Sequence, residues 1–342
     1  MPAAVAAPST PAAVAAPSLA PLRRSVLARL DPVLALAVVG VVVLAAFYVF
    51  ARPGSDVAAV PPSQRLVVAD LRGHALVVLD TGDPASARRI ALPGGPHEVV
   101  ALPDGRLAVS LEQFGTVALV DPVTGEVRAL HVGGTPHGLA VGAGMLHVTD
   151  RAVNAVRRFS LATWQEETPV ASGAWPHIIA ARPDGSLAIA NAADDSLSLG
   201  DRVVPVSHVP ESIAVAADGR VATAGSVGGV LHVFDAGGAL LEQHQVGGRP
   251  VRLLYDPRGE TLAAALSADG AVAILEGGVV RRVAVGGVPD GLAFSPDGRW
   301  LYVADMFGGT VSIVEVARGR VAQRIAAAQT AGALLVLPPV VR

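Results

Sequence analysis

Three histidines stand at matching places in a recurring pattern: Gly95-Pro96-His97, Thr135-Pro136-His137 and Trp175-Pro176-His177. The pattern continues as Val209-Pro210-Glu211, Arg249-Pro250-Val251 and Val288-Pro289-Asp290, with the prolines 40, 40, 34, 40 and 39 residues apart. A fold that treats the copies alike brings the residue after each proline to one place. Imidazoles joined by a carboxylate suit one divalent metal ion, such as zinc, copper, iron or nickel. His97, His137 and His177 are the candidate metal ligands. Three histidines with an open position would also suit a catalytic zinc, which activates water or polarises an ester or lactone carbonyl. Without metal, one histidine would act as general base while a neighbouring carboxylate orients it.

The elements that must position these residues follow from the rest of each copy. Seven residues after most of the prolines comes a turn, as in Pro103-Asp104-Gly105, Pro183-Asp184-Gly185 and Pro296-Asp297-Gly298. Asp-Gly between short apolar runs predicts a hairpin. Each unit then reads as four strands. In the last complete copy the first three are Gly291 to Phe294, Trp300 to Ala304 and Thr310 to Val314. Four strands in about 40 residues is the size of one propeller blade. The unit from 176 to 210 is short, and its missing residues fall in the outer hairpin, Ser196 to Val204.

Six prolines predict seven blades. Residues 64–92 supply second, third and fourth strands without a first, and Gly332 to Val336 is a lone first strand. The chain end therefore completes the N-terminal blade, and such closure removes the free sheet edges. The expected fold is an all-β seven-bladed propeller over residues 64–342, closed by the C-terminal strand.

In a propeller the first strand of each blade lines the central channel. The residues after the prolines then ring one channel mouth as His97, His137, His177, Glu211, Val251, Asp290 and, by the closure alignment, Gly332. The second strand returns to the same mouth, so its last residue in several blades (Asp70, Asp150, Asn191 or Asp305) is expected nearby, as is His208. The candidate ligand-binding set is His97, His137, His177, Glu211, Asp290, Asp150, Asn191 and Asp305. The alternative is structural: the histidines hydrogen-bond to neighbouring blades, and the Asp and Asn side chains cap turns. His131, His232 and His244 are expected at the surface, His74 and His147 in mid-strand, and Arg157-Arg158 as solvated outer-strand charge.

The N-terminus has another character. Residues 1–22 are mostly Ala, Pro, Val and Ser, and residues 1–32 are expected to form a disordered tail. The 19 residues from Val33 to Ala51 carry no charge. At about 1.5 Å per residue such a run spans a hydrocarbon core of roughly 30 Å. Arg23, Arg24 and Arg29 precede it and Arg52 alone follows closely, so the tail is expected in the cytoplasm and everything after Arg52 outside. The expectation is a single-pass signal anchor in a bacterial inner membrane, a linker at 52–63, and a periplasmic or extracellular propeller. A cleaved signal peptide is the alternative, and it exports the propeller equally.

Composition removes several chemistries. The chain has 342 residues, no cysteine, and no lysine, since all 26 basic residues are arginine. Disulfides, thiol nucleophiles, CxxCH haem attachment, Schiff-base lysines and the P-loop lysine are therefore absent. A formal net charge of −3 argues against a nucleic-acid partner.

The run from Val285 to Asp305, with Thr310 to Val314 after it, resembles the YVTN (YncE-like) β-propeller repeat. The resemblance is closest in this copy and extends more loosely over residues 64–338. It implies the propeller fold. It also implies a superfamily holding lactonases, cytochrome d1 domains, quinoprotein amine dehydrogenase subunits, surface proteins and plain binding modules. A fold with so many uses does not select one. The leading expectation is a membrane-anchored module that docks a protein partner or a small ligand at the mouth. The second is a metal-assisted hydrolase or lactonase working there. An accessory factor that holds a metal transiently is a third.

Overall fold

The computed structural model describes residues 60–338. The expected tail, membrane span and most of the linker lie outside these residues. Among the described residues no helix is long and apolar enough to cross a membrane.

The fold is an all-β seven-bladed propeller of seven four-stranded antiparallel sheets. Six blades are built from consecutive strands, and the first blade takes its innermost strand from the chain end. Leu334–Leu337 pairs with Arg65–Asp70, from Arg65 opposite Leu337 to Val68 opposite Leu334. Two further backbone bonds, Gly332 N–H to the Ala69 carbonyl and Ala69 N–H to the Ala333 carbonyl, extend this pairing at 2.9 Å each.

Burial follows strand order. Inner strands such as Leu107–Leu111 and Thr261–Leu266 are buried along their whole length, because a blade is covered on both faces by its neighbours. Such strands read as continuous apolar runs. The outermost strand of the third blade, Glu166–Ala171, is exposed throughout. The core is a set of apolar seams between blades. Fifteen buried residues, among them Leu231, Leu253 and Leu262, fill the seam of blades five and six. Only Ala140, Val156, Ile179 and Ile189 form the buried cluster between blades three and four.

The short outer hairpin of blade four causes part of that difference, with Ser196–Leu199 and Arg202–Pro205 at four residues each. Blades approach closely at the channel. A Cβ on Gly138 would lie 2.3 Å from the His177 carbonyl oxygen, and one on Gly291 would lie 2.1 Å from that of Gly332. Glycine after Pro-His or Pro-Asp therefore lets adjacent first strands touch. His232, expected at the surface, is buried, because third strands also sit inside the seams.

Candidate functional site

The channel mouth opens as a cavity of about 440 Å³. Its wall carries His97, His137, His177, Glu211, Val251 and Asp290, the residues after six of the repeat prolines. His97 and His137 stand with ring centroids 5.2 Å apart, and His137 and His177 at 4.2 Å, edge to face. These five polar candidates are brought together.

Asp150, Asn191 and Asp305 are not on the cavity wall. Asp150 accepts backbone N–H bonds from Thr135 at 2.9 Å and Ala152 at 3.1 Å. Asp305 accepts from Val288 N–H at 2.9 Å. The Asn191 amide donates to the hydroxyls of Ser196 and Ser198 at 3.0 and 2.9 Å. Successive strand residues face opposite ways. The next residue along, Arg151, Ala192 or Met306, is the one that reaches the cavity. His208 instead pairs with Asp195 at 2.7 Å, away from the wall.

Further wall residues had no counterpart among the candidates. Glu98 and Arg252 meet from blades two and six through two bonds of 2.7 and 2.8 Å. The pairing register shifts just after Pro250, as it does after Pro136, Pro176, Pro210 and Pro289. A β-bulge of this kind re-aims a side chain. Simple alternation from the proline therefore misses Arg252.

Glu112 is the other unforeseen residue. It lies in a short 3₁₀ turn, Glu112–Phe114, and touches three wall groups. Its carboxylate accepts from His137 Nδ1, sits 3.4 Å from His97 Nε2, and sits 3.1 Å from Arg151. One ligand atom each from His97, Glu112 and His137 fall within 4.8 Å of one another. A signal for it exists in the repeat: blade two carries Leu111 where blades one, three and seven carry aspartate, and Glu112 follows. The ligand set that could converge on a cation is thus His97, Glu112 and His137. His177 stacks beside it.

The electrostatics divide the mouth. Burial, then the nearby Arg151 guanidinium, push the His137 imidazolium well below its ordinary range. Burial, then the neighbouring His137, bring His177 down to about 2. Both rings are neutral at pH 7. His137 Nε2 and His177 Nδ1 are buried and have no hydrogen-bond partner among the described residues. On the other side, burial alone would raise Glu98, but Arg252 outweighs it and holds the carboxyl low. Burial raises Asp290 in spite of Arg252 at 3.9 Å.

Aromatic and strained residues rim the cavity. Trp175 and Phe307 are exposed there, with the Arg151 and Arg72 guanidiniums over their faces at 5.7 and 5.2 Å. Trp175, Val209 and Arg249 hold left-handed backbone angles of 53°, 55° and 50°.

Fold and site together define a seven-bladed propeller with a cavity of mixed polar and apolar lining built on its first strands. Solved structures agree on the fold. The chain is similar to a putative 6-phosphogluconolactonase from Bacteroides fragilis at TM-score 0.64 and 15% identity, covering 83% of this chain and 100% of that one. It is similar to virginiamycin B lyase from Staphylococcus aureus, in a catalytically inactive variant with quinupristin, at TM-score 0.61 and 13% identity, covering 71% and 92%. It is also similar to Kuenenia stuttgartiensis hydrazine synthase at TM-score 0.58 and 22% identity, covering 65% and 76%. No family model matches the chain, and no curated protein matches it. The YVTN likeness therefore stays a resemblance of repeat residues, and these neighbours carry the fold alone.

Proposed function

We propose that the protein is a binding module that takes a small ligand into the channel mouth. The observation that carries this is the pair of buried, neutral imidazoles, His137 and His177, which line the cavity and each keep one buried ring nitrogen unpartnered. A buried acceptor without a partner costs free energy, so it is kept where something else completes it. The cavity volume of about 440 Å³ fits a small organic ligand, for which roughly 300–1,000 Å³ is usual. Glu112 holds His137 by Nδ1, so the opposite nitrogen, Nε2, is left to meet the ligand.

A second reading is a metal-assisted hydrolase or lactonase. The convergence of His97, Glu112 and His137 favours it, with Asp290 across the cavity as a carboxyl that burial keeps inclined to hold its proton. Arg151 opposes it, because a guanidinium 3.1 Å from Glu112 competes with a cation for the same carboxylate.

In the cell we place the propeller outside a bacterial inner membrane, held by residues 33–51, with ring closure by the Leu334–Leu337 pairing keeping it intact there. Protease treatment of spheroplasts tests this: the propeller should be cut or shed while residues 1–32 stay protected.

The site is tested by mass spectrometry of small molecules released from the natively purified protein, with elemental analysis beside it. A His97/His137/His177→Ala triple variant is the control. The binding reading expects a released compound that the folded triple variant lacks, with no stoichiometric metal. About one equivalent of metal in the natural protein and none in the variant moves the conclusion to the hydrolase. Neither compound nor metal overturns both.

A further inference from the structure

The seam between blades three and four carries a second built site, independent of the mouth. Where second and third strands pair on the face toward the next blade, six blades place two apolar residues, as in Val67–Val78, Ala263–Ile274 and Tyr302–Ile313. The third blade places His147 opposite Arg158 there, and the row continues to Glu167 on the outer strand. Opposite lie Ser196 and Ser198 of the shortened blade four. Between the two faces is a slot of about 800 Å³ whose wall includes all five residues.

The slot's hydrogen-bonding capacity is unfilled and mixed. His147 is 6% exposed, and its Nε2 lies 3.3 Å from the Gly142 carbonyl. A carbonyl accepts only, so the ring proton is on Nε2 and Nδ1 keeps its lone pair. Nδ1 has no partner among the described residues, nor has the Arg158 Nε–H; both atoms are buried, so a ligand reaches them by displacing the slot's side chains. The Ser196 and Ser198 oxygens accept from Asn191, which leaves their O–H protons to donate. Arg158 is neutralised by Glu167 at 3.1 Å, and Asp194 and Asp201 add further negative charge to the wall. An anion would meet that charge and be repelled. Leu187 and Ile189 supply an apolar floor for C–H groups.

We propose that this slot binds an uncharged, hydroxyl-rich molecule of mono- or disaccharide size. Hydroxyls donate to His147 Nδ1 and the Glu167 carboxylate, and accept from Arg158 Nε–H and the two serines. The slot volume lies within the range of roughly 300–1,000 Å³ for small-molecule pockets. The blade-four truncation provides the space, and the His147–Arg158–Glu167 row provides the chemistry.

The test is saturation-transfer NMR on the full-length protein in a sugar-free detergent, with glucose, maltose and trehalose as probes. At least one should bind saturably at millimolar concentration or below. His147→Ala/Arg158→Leu restores the apolar pattern of the other blades, so it should keep the melting temperature and weaken binding at least about tenfold. Ser198→Ala gives a smaller loss and covers the case in which the double variant does not fold. His97→Ala/His137→Ala, at the mouth, leaves sugar binding unchanged. No saturable binding by any of the three sugars overturns the proposal. So does an affinity unchanged in the folded His147/Arg158 double variant or in Ser198→Ala.

Discussion

In blades two to four the residue after the repeat proline is histidine, whereas in blades five to seven it is Glu211, Val251 and Asp290. The two halves of the mouth share a backbone position and differ in how far their polar groups are satisfied. Glu211 is held by Ser226 at 3.0 Å and Arg249 at 3.2 Å, and Arg252 is locked to Glu98 by two bonds. The histidine half keeps buried ring nitrogens unpartnered. Filled valences on Glu211 and on the Glu98 carboxylate mark the ion pairs as a clamp across the channel, while Arg252 Nε stays buried without a partner. Open valences mark the histidine half as the place where a ligand completes the structure.

The strongest way to break this comparison is Arg252→Leu, which strands the buried Glu98 carboxylate. Removing one partner of a buried pair costs about 3–5 kcal/mol. A urea midpoint should fall accordingly, and Glu98→Leu/Arg252→Leu should recover most of it. If the single variant is as stable as the natural protein, the pair is no clamp.

Next in size is a separation in pH. In metal-free protein, His137 and His177 have folded pKa values below their unfolded value, so the unfolded state binds protons first as pH falls. Stability from these two is complete above about pH 6.5 and declines below it, with His177 contributing roughly 2 kcal/mol between pH 7 and 5. Glu98 is held low, so its contribution is lost only below the ordinary carboxylate range. Asp290 is raised, so it works the other way and favours the fold on acidification. Denaturant midpoints across pH 4–8 should show the histidine phase, and His177→Gln should reduce it, leaving the His137 part, without moving the acid limb.

Glu112→Gln tests what orients His137. It removes the charge facing Arg151 and keeps an acceptor, for an expected stability loss of about 1–2 kcal/mol. Occupancy by the released compound, or by cobalt followed in its absorption spectrum, should fall far more than stability does. Equal falls would make Glu112 merely structural.

Arg249→Ala should matter least. Its side chain is 57% exposed, and a pair of that kind contributes about 0–1 kcal/mol. A loss larger than that from thermal melting would mean the ion-paired half extends to the rim.

Much of this was legible beforehand. The proline spacing and Asp-Gly turns announced seven blades, and His97, His137, His177, Glu211 and Asp290 were placed at one mouth. Asp150, Asn191 and Asp305 were expected beside them and instead cap turns or tie strands, because a single residue step along a strand reverses the face. Glu98 and Arg252 stayed hidden because the bulge after the proline breaks the alternation that pattern reading assumes. Their partnership also crosses 154 residues of chain.

What the sequence determined by itself was the repeat, its strands and the chemical types offered at the mouth, since these follow from local periodicity and turn chemistry. Only the tertiary structure decided which of those groups have partners. Whether His137 meets Glu112, Arg252 crosses to Glu98, or His147 is left open in a thin seam depends on blades brought together from distant parts of the chain. Hydrogen-bond satisfaction is a property of that assembled surface and has no local signature in the residues that carry it.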